Sequence, residues 1–140
     1  MRSFSALCAY LGCPLRNIRW SWSAIAPDSK RALFTIWQDE INEGQFVLYP
    51  VSERRPGVIS ESANVRPGAK EVHRISLYAA LNPNMPAFGI RCVAQDENAK
   101  TRSRKTFDAQ TLLRLQIKRD GEQIVAYIVG EVPVETLAQT

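Results

Sequence analysis

The chain is short of the residues on which most metal and nucleophile chemistry depends. It holds one histidine and three cysteines in 140 residues. Cys8, Cys13 and Cys92 form no CxxC pair, so neither a zinc ribbon nor a thioredoxin-type motif is available. An odd number of thiols cannot all pair within the chain, and three free thiols fit a reducing cytoplasm. There is no Walker A sequence, no GxGxxG, no GxSxG and no HExxH. The only D/E-x-K triplet, Asp28-Ser29-Lys30, has no acid before it, so the order of a PD-(D/E)xK nuclease fails. No apolar run reaches about 18 residues, which argues against a membrane-spanning helix. The apolar stretch from Phe4 to Leu11 follows Arg2 but is short for a signal peptide, and Tyr10 and Leu11 do not suit a cleavage site. No repeat is visible.

What is present is an ordinary globular composition. Hydrophobic residues make up 45% and charged residues 23%, which excludes a disordered tail, a collagen-like chain and a disulfide-stapled miniprotein. The length predicts one domain over residues 1–140, able to bury roughly 68–70% of the unfolded chain's surface. The net charge of +4 is mild. It permits a polyanionic partner without requiring one. The surplus is uneven, however: the first 27 residues contain three arginines and no acid.

Periodicity predicts the elements. Phe4, Leu7, Cys8 and Leu11 fall at i, i+3, i+4 and i+7, with Ser3 to cap the helix and Gly12 to end it. Pro14 to Asn17 is a loop. Trp20 to Ala24 alternates with period two and reads as a strand with both tryptophans on one face. Pro27 to Lys30 is a turn. Ala32 to Trp37 is apolar on both faces except at Thr35, the mark of a central strand. Phe46 to Val51 is a third strand. Residues 52–68 form the longest loop. Ala69 to Leu81 is a helix whose inner stripe is Val72, Ile75 and Ala79, stopped by Asn82-Pro83. In Phe88 to Ala94, Phe88, Ile90, Cys92 and Ala94 face one way and Gly89, Arg91 and Val93 the other. Two alternating runs flank Asp120-Gly121, a type I′ hairpin pair that sets Ile117 opposite Ile124, Leu115 opposite Ala126 and Leu113 opposite Ile128. These elements predict an α+β domain: a small, curved, mostly antiparallel sheet or barrel of about six strands with two helices.

Four features carry candidate chemistry. Lys100, Arg102, Arg104 and Lys105 alternate with hydroxyl residues, the composition of a phosphate-binding strip; the plain alternative is a solvated loop. Trp20 and Trp22 form a platform able to stack a base, with Arg16, Asn17 and Arg19 beside it; the alternative is ordinary core. Asp39 and Glu40 end a strand, and neighbouring strand residues point to opposite faces, which argues against a shared site. His73 sits at the edge of the helix stripe, a boundary position more than a catalytic one, and Cys92 faces inward.

The segments Asn17-Ile18-Arg19-Trp20-Ser21-Trp22 and Phe34-Thr35-Ile36-Trp37-Gln38-Asp39-Glu40, in this layout of tryptophan-bearing strands, two helices and a basic loop, resemble the PUA-like group, which includes EVE and ASCH domains. The resemblance implies a nucleic-acid-binding module, DNA or RNA, that reads a base in an aromatic-lined pocket. On that reading Arg16, Arg19, Trp20 and Trp22 line the pocket, and Lys100, Arg102, Arg104 and Lys105 hold phosphates, with no cofactor or metal. The alternatives are a protein-interaction or small-ligand domain, as a homodimer, and an enzyme built on His73 or on Asp39 and Glu40.

Overall fold

The computed structural model describes residues 2–17, 21–51, 67–95 and 104–138. The elements run α1 (Phe4–Tyr10), β1 (Ser23–Ile25), β2 (Ala32–Trp37), a 3₁₀ turn (Gln38–Glu40), β3 (Gln45–Tyr49), α2 (Pro67–Leu81), β4 (Ala87–Ala94), β5 (Arg104–Phe107), β6 (Thr111–Asp120), β7 (Gln123–Pro133) and α3 (Val134–Ala138). The class is α+β. Six strands lie in the order β1-β2-β4-β6-β7-β3, and β5 adds to β4. Every pairing is antiparallel except β2 with β4. The sheet curls into a half-barrel. Helix α2 closes it, touching both edge strands, β1 and β3, as well as β6 and β7.

The caps are as the sequence predicts. Ser3 Oγ accepts from Ala6 N at 3.2 Å. At the other end of α1 the Gly12 N–H donates to Ala9 O and the Cys13 N–H to Cys8 O, a Schellman closure that uses the positive φ of Gly12 (80°). Helix α2 starts at Pro67, two residues earlier than its apolar stripe indicated, because proline suits a first helical position.

The strand buried along its whole length is β2. Residues of α2 pack with Phe34, Phe46 and Leu48 on one side. On the other, Phe4 and Cys8 of α1 face Leu33 and Ile90, and the Phe4 ring meets Phe107 edge-on at 5.4 Å. One edge of β4 carries β2; the other is divided. Ala87–Gly89 pairs with β6, and Cys92–Ala94 pairs with β5. β5 and β6 are thus one strand line interrupted at Asp108, whose Oδ1 accepts from Gln110 N at 2.9 Å and Thr111 N at 3.0 Å.

Three expectations need correction. The hairpin loop is Gly121-Glu122, with Asp120 opposite Gln123 and Ile117 opposite Ala126, two residues from the predicted register. Gly121 alone takes a positive φ (63°), at the first loop position, as a type II′ turn requires. The type I′ requirement is met elsewhere, at Glu43 and Gly44 (φ 52° and 74°), which join Asn42 to Gln45. Second, β1 runs from Ser23 to Ile25 and does not include Ser21 or Trp22; the Ser21 N–H bonds back to Asn17 O at 2.9 Å instead of to a strand, and Trp20 lies outside the described residues. Third, the basic segment is a strand from Arg104 onward, held by β4. Residues 52–66 of the expected long loop lie outside the described residues.

Candidate nucleic-acid interface

The polar centre of the molecule is a residue that the sequence patterns did not nominate. Glu71 falls on the buried stripe of α2, together with Gly68, Val72 and Ile75, and retains only 6% of its surface. Its carboxyl bonds the Ser21 side chain, and Oε1 has no hydrogen-bond partner among the described residues. Burial holds the Glu71 carboxyl above the usual glutamate range, opposed by the Ser21 hydrogen bond and by the charges of Arg74 and Arg16. The loop contributing Ser21 is closed by two bonds: Ser21 N to Asn17 O at 2.9 Å, and Asn17 N to Ser21 Oγ at 3.0 Å. Arg16, Ser21, Glu71 and Arg74 therefore gather around one desolvated carboxyl. A charged residue on an otherwise apolar helix stripe is the signal that would have found it.

Trp22 is half-buried and joins the two sides of β2. It lines one gap with Phe34, Thr35 and Val72 and another with Phe4, Leu15 and Ile90. Each gap is about 10 Å³, room for roughly one water and too small for a base. Arg19 and Trp20 lie outside the described residues.

Of the basic strip, Arg104 is exposed and lays its guanidinium over the Phe4 ring at 3.7 Å. Phe4 also borders the gap lined by Leu15 and Trp22. Arg104 thus packs on Phe4 at the α1 side of the sheet, whereas Arg16 acts on Glu71 of α2. Lys105 belongs to β5. Lys100 and Arg102 lie outside the described residues.

His73 is exposed and stacks on Tyr49, ring centroids 4.2 Å apart, whereas Cys92 is fully buried in β4. Asp39 and Glu40 sit in the 3₁₀ turn after β2. No group of three His, Cys, Asp or Glu side chains able to hold a metal occurs among the described residues. The three thiols form no disulfide and are buried. Burial pushes the Cys8 thiol up to about 12 and the Cys13 thiol up to about 11, so both are protonated at neutral pH. No described helix is long and apolar enough to cross a membrane.

No protein-family model matches this chain, and neither does any curated protein or solved structure.

Proposed function

We propose that this protein is a nucleic-acid-binding module, and that Glu71 with Arg16, Arg74 and Ser21 is the part that meets a base. The observation that carries the reading is the buried carboxyl whose Oε1 has no partner among the described residues. An unmatched buried acceptor costs free energy unless something donates to it. Bases offer such donors in their exocyclic amines and ring N–H groups. The surrounding guanidinium groups supply charge for the flanking phosphates. The gaps beside Trp22 are too small to admit a base, so on this reading the base is met at the Glu71 cluster and not between the core aromatics.

The test is fluorescence anisotropy with labelled single- and double-stranded DNA and RNA at two salt concentrations. Binding should weaken with salt, and Arg16→Ala and Arg74→Ala should each lower the salt slope by about 1. Glu71→Gln should change the preference among bases. Absence of binding to all four probes, or affinity indifferent to salt, overturns the reading.

A second reading, a protein-interaction domain acting as a homodimer, draws on two exposed valines of neighbouring strands, Val47 of β3 (39%) and Val129 of β7 (58%). Light scattering across protein concentration tests it. A constant monomer mass removes the homodimer.

A further inference from the structure

A separate cleft of about 270 Å³ opens at the C-terminal end of α2, between the turn leading into β4 and the middle of β6. Pro83 and Met85 line one wall and Leu115 and Ile117 the floor, with Arg114 and Gln116 alongside. The cleft reaches the core: Leu115 and Ile117 belong to the main buried cluster yet keep 8% and 7% of their surface. Arg114 is the only charged residue of the lining among the described residues. It is exposed and makes no ion pair among the described residues.

We infer that this cleft binds a small organic anion, one carboxylate or phosphate head on a flat apolar body. A guanidinium with no ion-pair partner presents its planar fork to an anion, and carboxylate and phosphate match that fork with two parallel hydrogen bonds. The walls suit an apolar body, because the proline ring and the methionine thioether pack against flat groups without a polar demand of their own. Two carbonyls of the last turn of α2 are engaged by Asn82 and not by Arg114: Asn82 Nδ2 donates to Tyr78 O at 2.8 Å and Asn82 N to Ala79 O at 3.3 Å. The Gln116 amide supplies one further donor and acceptor beside the head group.

This site shares no residue with the Glu71 cluster, so the two proposals stand or fall separately. The experiment uses three probes with the same ring: phenyl phosphate, benzoate and neutral benzamide. Each is titrated into the isotopically labelled full chain to about 10 mM, enough to register affinities of millimolar order. At least one anion should shift the backbone amides of 84–85, 87 and 114–117 saturably. Benzamide should bind at least about tenfold more weakly, the loss expected when a charge-assisted pair is removed. Arg114→Ala should reduce anion binding by a similar factor, and Arg114→Lys should recover part of it. Non-saturating shifts with both anions, benzamide binding as well as they do, or anion binding untouched by Arg114→Ala each overturn the inference. Because the benzamide comparison uses the unaltered protein, that arm holds however the variants fold.

Discussion

Gly89 is the position at which the packing of this fold is least forgiving. It lies mid-strand in β4, between Phe34 of β2 and Leu113 of β6. A Cβ built there would come within 2.5 Å of Ile36 Cγ1 and 3.4 Å of both Ile36 Cδ1 and Leu115 Cδ1. Carbon atoms rest at about 3.5–4.0 Å, so the intrusion is roughly 1 Å. Ile36 is fully buried, so its side chain can give way only by displacing core neighbours. Overpacking of this kind costs about 1–3 kcal/mol, while replacing a strand glycine with alanine returns about 0.5–1 kcal/mol of chain entropy. Gly89→Ala should therefore destabilise by about 1–2 kcal/mol. Urea denaturation should show a lower midpoint at unchanged slope. The partner variant Ile36→Ala removes the atom in the way and by itself costs about 2–5 kcal/mol. The double variant should lose less than the sum, by a coupling of about 0.5–3 kcal/mol. A Gly89→Ala protein as stable as the original, or a double variant that is simply additive, would refute the reasoning.

Arg31 ties the ends of two helices, its Nη1 donating to Leu11 O at 3.3 Å and Leu137 O at 3.2 Å; Arg31→Ala should cost about 1.5–3 kcal/mol, seen as a lower melting temperature, and an unchanged melt would show that the tie is idle. Glu71 has a raised folded-state pKa, so its protonated form favours folding: that contribution is complete below the ordinary value of 4.5 and is lost as pH rises through the folded value. Relative to wild type, Glu71→Gln should gain stability as pH rises from about 4.5 toward neutrality and show little difference at the acid end; urea midpoints at the two extremes measure this, and a flat or reversed difference would contradict the burial argument. The three cysteines should resist a thiol reagent at neutral pH in the native protein and all react in denaturant. Prompt labelling of the folded chain would mean that at least one of the three is not buried as described.

The register of the last hairpin illustrates what a residue pattern carries. Alternation selects the faces of β6 and β7 correctly, because Leu113, Leu115 and Ile117 are all buried. A slip of two residues leaves every side chain on its own face, so alternation is blind to it. The glycine conformation at 121 decides the loop, and that depends on backbone geometry and not on residue type alone. β5 is hidden in the sequence for a related reason. Its four residues are polar or charged except Phe107, and they extend because the free edge of β4 offers hydrogen bonds beyond the end of β6.

Local chemistry thus specified the pieces: the Ser3 cap and Gly12 end of α1, the stripe of α2, the buried character of β2 and the α+β class. Each rests on side chains near in sequence, where periodicity and capping act. Tertiary structure decided the rest. The parallel pairing of β2 with β4, the packing of α1 against Leu33 and Ile90, and the closing of the half-barrel by α2 all join residues far apart in the chain. The same holds for the Glu71 cluster. Arg16 and Ser21 meet Glu71 and Arg74 only because α2 packs on β1, and a carboxyl becomes a buried group of altered acidity only when a fold removes its water.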